Sequence, residues 1–327
     1  MIEKLTTVDI KTFDRSAMAW LAPYFDLNYS SAGAEERRQW FLNLLTLAKH
    51  NLGLAHCVQH NHYPHAQVRL KLPEFVDSAY NKTIGCFSNF KAADTMKLNG
   101  QILSGTKHWI SLLEQADFGV FRVPAENMDD GVEALVLVDF KSVPHKIDLD
   151  FMIPMGMEIA RPGSLTLDRV EIPKNHVLGY RRYNEPSPVF FHLISFSDYC
   201  FITNFLGINI GLYKEFQTYL ENNGLAKELE FNRIGLELSN LYMSWQDNLE
   251  SINVNEPTDE FWHRRNTQYT ISKSILLDQI NLILKIGDSR WTDARSPSNQ
   301  RFRDALTFCT HMKPLNKNLI EKNFVKF

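Results

Sequence analysis

The residues best suited to chemistry gather in KHNLGLAHCVQHNHYPHA, residues 49–66, which carries His50, His56, His60, His62 and His65. An imidazole titrates near neutrality, so each can hold or pass a proton without a large shift. In a helix His56 and His60 share a face at i and i+4, a spacing that can also bind a metal. No HExxH pattern and no identifiable third ligand accompany them, so no metal site is expected. A surface or capping role is the simplest reading of the set. Cys57, Cys86, Cys200 and Cys309 are scattered without a CxxC pair, which argues against a disulfide framework and against a cysteine zinc site. They are expected as buried, reduced thiols. Glu215 and Glu237 lie in helical patterns where a solvated face accounts for them.

Three stretches must position these groups. Glu35 to Val58 places Trp40, Leu44, Leu47, Leu54 and Val58 at spacings of three, four and seven with no proline inside, and predicts helix. From Ile84 to Val177 the pattern changes. ADFGVFRV at 116–123 and ALVLVDF at 134–140 are short Val- and Phe-rich runs separated by ENMDDG, and both predict strands. In SLTLDRVEIP the apolar phase slips by one at Asp168-Arg169, which fits either a bulge in one strand or a turn between two. Turns are expected at Lys97-Gly100 and Arg161-Gly163. Beyond YRRYNEPSP at 180–188, apolar residues recur at helical spacing over His192–Leu220, Asn232–Ile252 and Arg265–Ile286, with Gly287 placed to end the third helix. The order predicts a helical domain over 1–82, a β domain over 83–182 and a helical bundle over 189–327.

Composition narrows the function classes. With 35 Lys+Arg against 38 Asp+Glu the net charge is −3, which supplies no global positive field for nucleic acid or an anionic membrane. The 44% hydrophobic content, with 13 Pro and 15 Gly, belongs to a compact globular chain. No signal-like or membrane-length apolar run appears, and a cytoplasmic protein is expected.

Two segments, in this order, resemble the acyl-CoA dehydrogenase superfamily of flavoproteins. LNGQILSGTKHWIS at 98–111 is similar to its hairpin with an NG turn and a G-x-K-x-W-I motif, and PMGMEIARPGSLTLDRVEIPKNHVLG at 154–179 to its Gly-Met segment, strand and V-x-x-P ending. SPSNQRFRDALTFCTHMKP at 296–314 resembles the arginine-aspartate helix, closer to the flavin-dependent monooxygenase branch than to the dehydrogenases proper. The resemblance implies an α+β fold of N-terminal helices, a β-barrel-like middle domain and a C-terminal helical bundle. It implies FAD, with FMN as the alternative, held against Phe87, Ser88, Trp109 and Ser111, with Gly287 on the adenine side. It further implies a small-molecule substrate, a homo-oligomer and, for the monooxygenase branch, a partner flavin reductase. The branch's flavin-side histidine corresponds to His62 or His60, and its C-terminal histidine to His311.

Departures from the family pattern qualify these expectations. The loop after the first flavin-contacting strand is reduced to SNFKAADTMK, the Gly-Gly cradle appears as KIGDSRW at 285–291 with only Gly287 kept, and CTHMKP at 309–314 holds no acid where the dehydrogenases carry their base. Two readings follow. One is a flavin-dependent oxidoreductase, transferring hydride from an acyl-type substrate or oxygenating with reduced flavin. The other is a catalytically degenerate member acting as a binding or scaffold protein.

Overall fold

The computed structural model describes residues 4–5, 9–28, 31–75, 83–88, 93–126, 128, 131–182, 188–225, 229–251 and 259–311; the side chains of 188–195, 250–251, 259–262 and 311 lie outside the description. Three helices come first: α1 (Arg15–Phe25), α2 (Ala34–His50) and α3 (Leu52–Lys71). Asp14 starts α1 by accepting the Ala17 N–H at 2.9 Å, and Ala17, Met18, Leu21 and Phe25 form its buried stripe. The single run expected over 35–58 is two helices. Asn51 leaves helical geometry (φ −146°, ψ 93°), closes α2 through its own N–H on Leu47 O at 2.7 Å, and caps α3 by accepting the Leu54 N–H at 2.8 Å. A short amide side chain can satisfy both helix ends at once, which periodicity does not register.

α3 is buried on nearly all sides, its histidines included: His56, His62 and His65 are each 1% exposed. The surface role expected for them is therefore wrong. α3 packs against α2, the first strand and two later helices, and several of its polar side chains bond within the protein. His65 Nδ1 donates to Asn61 O at 2.6 Å, and its Nε2 therefore accepts from the Thr83 hydroxyl at 2.9 Å. Asn61 Oδ1 accepts the Gly85 N–H at 2.8 Å.

The middle of the chain forms two four-stranded sheets. One has the order β1-β4-β5-β8, from β1 (Gly85–Ser88), β4 (Phe118–Pro124), β5 (Val132–Asp139) and β8 (Val177–Arg182), with β1 parallel to β4 and the rest antiparallel. The other, antiparallel throughout, has the order β2-β3-β7-β6, from β2 (Lys97–Asn99), β3 (Ile102–Ser111), β7 (Pro162–Glu171) and β6 (Lys146–Asp148). The slip at Asp168-Arg169 is a bulge. Leu103 pairs with Val170 and Gly105 with Leu167, so β7 carries the extra residue, and Arg169 takes φ 49°. The turn expected at Lys97-Gly100 falls later: Lys97–Asn99 form β2, and the hairpin closes at Gly100-Gln101, Gly100 with φ 62°. The turn expected at Arg161-Gly163 does not form: Pro162 and Gly163 already belong to β7, and the chain reverses in the 3-10 turn Glu158–Ala160. A proline is tolerated as the first residue of a strand, where its missing N–H costs least.

Helices α4 (Pro188–Asn222), α5 (Leu229–Ser251), α6 (Asp259–Ile286) and α7 (Pro297–His311) complete the chain. Tyr199 donates to Trp245 O at 2.6 Å and Trp245 Nε1 to the Thr203 hydroxyl at 3.0 Å, locking α4 to α5. α2 lies so close on α4 that a Cβ at Gly211 would stand 2.3 Å from Lys49 O. The Gly-Met and arginine-aspartate motifs meet here. Asp304 accepts the Met157 N–H at 2.6 Å, Arg303 donates to Met155 O at 2.9 Å, and a Cβ on Gly156 would run into the α7 backbone at 2.4 Å. No helix among the described residues is long and apolar enough to cross a membrane.

Burial makes α3 acid-sensitive. His62, wedged between Trp40 (5.0 Å) and Phe196 (5.2 Å), is pushed down to about 3 by loss of solvent, then by His65 and Arg69. Its folded value lies below the unfolded one, so it binds fewer protons when folded, and stability falls as pH drops from about 6.5 toward 3. His62→Phe removes that titration. Urea titrations across pH 7 to 4 should show the wild type losing stability relative to the variant, by up to about 1.4 kcal/mol per pH unit.

Candidate functional site

The site is built on an irregularity in β3. Lys107 pairs with Leu165 and Ile110 with Gly163, so β3 takes three steps where β7 takes two, and His108-Trp109 bulge out. Trp109 adopts φ 60° and Leu112, just past the strand, φ 66°. A bulky residue in the left-handed region costs about 1–3 kcal/mol and persists only when its surroundings hold it.

Asp94 supplies the hold. Its carboxylate accepts the His108 N–H at 2.9 Å and the Lys107 ammonium at 3.0 Å, with His108 Nδ1 at 3.3 Å. The side chains of Asp94 and Lys107 are both 0% exposed. The backbone donor that the bulge withdraws from the ladder thus finds a charged acceptor. Burial pulls Lys107 below its ordinary value while Asp94 pulls it back up.

The bulge turns the Trp109 ring outward, where it stands half-buried and edge-on to Phe151 at 5.3 Å. Ser111 keeps its hydroxyl inside, 3.4 Å from His56 Nε2. Ser88, at the end of β1, donates to His108 O at 3.4 Å, and its neighbour Phe87 meets Tyr63 edge to face at 4.4 Å. Phe87 and Ser111 thus meet the face of α3 that carries His56, His60 and Tyr63, Ser88 ties β1 to β3 through His108 O, and Trp109 stands apart beside Phe151.

Aromatic rings enclose the histidines. His56 and His60 lie 4.1 Å apart, Phe201 from α4 sits 5.9 Å from His56, and Phe308 from α7 sits 6.1 Å from His56. Sequence spacing marks His56 and His60 as one face but does not say that this face meets Ser111. His62 points the other way, into the α2–α4 packing, and does not join the wall. His311 ends α7, and its side chain is outside the described residues. Gly287 is also apart. A Cβ there would lie 2.5 Å from Ile283 O and 2.8 Å from the Trp291 ring, so its open side is filled by its own chain, while Asp288 is tied to Arg290 at 3.0 Å. Asp94 and Phe308 are absent from the sequence-level set; the only signal for Asp94 is an acid thirteen residues before a lysine at an inward strand position.

Removing one partner of a buried ion pair strands the other. Asp94→Ala should cost about 3–5 kcal/mol in denaturant unfolding, and Asp94→Ala combined with Lys107→Met should recover part of that loss. A double variant no more stable than the single one would contradict the role given to the pair.

No protein family matches the chain by sequence, and no curated protein does. Solved structures match it by shape. Butyryl-CoA dehydrogenase from Megasphaera elsdenii superposes with a TM-score of 0.72 at 13% identity, covering 91% of this chain and 86% of that one. The HsaA monooxygenase from M. tuberculosis gives 0.72 at 11% identity, over 95% and 88%. KijD3, solved with FMN and a dTDP-linked amino-keto sugar, gives 0.70 at 14% identity, over 95% and 85%. Near-complete coverage on both sides means that the helices, the two sheets and the bundle correspond as a whole, and the chain has the α+β fold of the acyl-CoA dehydrogenase-like flavoproteins.

Proposed function

We propose that the protein is a flavin-dependent oxidoreductase acting on a small molecule, with the isoalloxazine against Trp109 and Ser111 and the substrate entering on the side of His56 and His60. The observation that carries this reading is the held bulge at His108-Trp109, two residues before a buried Ser111 hydroxyl that meets His56, itself packed on His60. The residues present suit a flat, partly polar ring: an aromatic wall, a hydroxyl able to give or take a hydrogen bond, and apolar enclosure by Phe201 and Phe308. When bound, a flavin supplies hydride or electron uptake at its central ring. The chain's own groups orient and manage protons. Ser111 offers its hydroxyl to the ring edge, His56 holds that hydroxyl through Nε2, and the adjacent imidazole of His60 can pass a proton onward.

CTHMKP holds no carboxylate, and histidines line the wall, so oxygenation by reduced flavin delivered from a partner reductase fits better than α-proton abstraction from an acyl thioester. FAD is the cofactor the resemblance implies, while the filled space at Gly287 favours FMN. The described cysteines are all buried and free, which suits a reducing cytoplasm. Self-association completes the reading. α5 exposes Leu229 (85%), Leu236 (65%) and Met243 (54%) every seventh residue, and α6 exposes Leu277 and Leu284, a stripe that a second copy would cover.

A second reading, a non-catalytic binding protein with the same fold, draws on the filled Gly287 and the Asp288–Arg290 pair, where the resemblance places the dinucleotide cradle. Flavin content separates the two. Purified protein should show the visible absorbance of oxidised flavin, and Trp109→Ala should retain it about tenfold less tightly. A colourless protein whose melting temperature does not rise with excess FMN or FAD supports the second reading, because a ligand of the folded state must stabilise it. For a flavin-loaded sample, oxygen uptake with externally reduced flavin marks the monooxygenase, and anaerobic bleaching by acyl-CoA the dehydrogenase. In light scattering, Leu236→Glu should shift the protein from oligomer to monomer.

A further inference from the structure

A cavity system opens where the end of α2, the start of α3, α4 and the start of α7 come together. Ser298, at the start of α7, is ten residues from Phe308, which puts this system about 15 Å along the helix from the wall of the candidate site. It has two chambers of about 450 Å³ each, and both are lined by His50 and Arg301. The first chamber is rich in cations: Lys49 and His50 from the end of α2, Lys214 from α4, Arg290 from the turn after α6, and Arg301 from α7, against a single lining carboxylate, Glu215. That carboxylate is already engaged, by the Arg301 guanidinium and the Ser298 hydroxyl. Arg290 is held by Asp288 and lies 4.9 Å over the Tyr219 ring. Lys49 and Lys214 have no carboxylate partner among the described residues.

Helix polarity explains part of this cluster. Lys49 and His50 sit at the C-terminal end of α2, where cations are favoured. It does not explain Lys214, in the middle of α4, or the arginines from two further elements. Both α2 groups titrate low, Lys49 through burial and then Lys214, and His50 through burial and then Arg301, Lys49 and Lys214. The second chamber has a mixed wall: Ile10, Leu52, Ile159 and Ile208 alternate with the carboxylates Asp9, Glu158 and Asp304, so an anionic head is favoured in the first chamber and not in this one. Each chamber falls within the size range of small-molecule sites.

We propose that this cavity system binds a phosphorylated small molecule distinct from the flavin, its phosphoryl dianion between Lys49, Lys214 and Arg290 and its organic body in the second chamber. A doubly charged head matches cations that converge from separate elements, and a bare ion would leave unused the second chamber, whose isoleucines and carboxylates suit a neutral, hydroxyl-bearing body.

Calorimetric titration of the full-length protein with sodium pyrophosphate, against sodium acetate at equal ionic strength, tests the head site. Pyrophosphate should bind and acetate should not. Lys214→Ala and Lys49→Gln should each weaken binding about tenfold or more, the scale of a hydrogen bond to a charged group. Lys146→Ala, a surface cation on β6, should leave it unchanged. Saturating FAD or FMN should not alter the isotherm. No pyrophosphate binding, equal binding by the Lys214 and Lys49 variants, or displacement by the flavin nucleotides would each overturn the proposal, the last by identifying the anion as the cofactor's own phosphate.

Discussion

The buried contact of Asp94 with Lys107 and the His108 amide is the constraint on which the rest of the site depends. Two charges at zero exposure carry a large desolvation cost, which geometry and additional hydrogen bonds must offset. Asp94 meets that condition by accepting from an ammonium and from the N–H that the bulge releases. With that acceptor in place Trp109 can keep its left-handed backbone, and Ser111 two residues on keeps its hydroxyl inward. The bulge that Asp94 holds lies in the β3–β7 pairing, where the register shifts between Lys107 and Ile110, while the β2–β3 pairing stays regular.

Around this wall the chain relies on buried polar ties more than on apolar contact alone. α3 lies between the α2–α4 helices and β1, and it reaches both sides with amides and imidazoles: Asn204 Nδ2 donates to Gln59 on one side, and Asn61 and His65 fasten the approach to β1 on the other. α7 is fastened to the loop before β7 by Asp304 on Met157 and by Arg303 on Met155. Asp304 rises to about 6 through burial, although its hydrogen bonds pull it down. Such ties fix orientation because an unmade bond in the interior leaves a desolvated group. The aromatic enclosure from α3, α4 and α7 around His56 is therefore held by directional contacts.

Much of the fold was legible in the sequence. Helical periodicity located the bundle, short Val- and Phe-rich runs located β4 and β5, and the phase slip at Asp168-Arg169 pointed to an irregularity that proved to be a bulge. The failures are instructive. Asn51 divides a continuous apolar period because one amide caps two helices, and the histidines of α3, polar by type, are buried because that helix has neighbours on every side. Lys107 is buried against Asp94, a pairing across thirteen residues that local spacing does not show.

The sequence by itself determined the order of the elements and the motifs that carry the family likeness, since both are written in local spacing and residue type. The family likeness singled out Phe87, Ser88, Trp109 and Ser111, and the structure sets them in the last residues of β1 and β3. Only the tertiary structure decided which histidine meets Ser111. Residues 56, 60 and 62 lie within two turns of one helix, and whether a ring meets Ser111 or Trp40 depends on how α3 is rotated between β3 and α2, a choice made by long-range packing. The same holds for Gly287, whose open side is filled by Trp291, and for the cations of the cavity system, which come from four separate elements and share no local pattern.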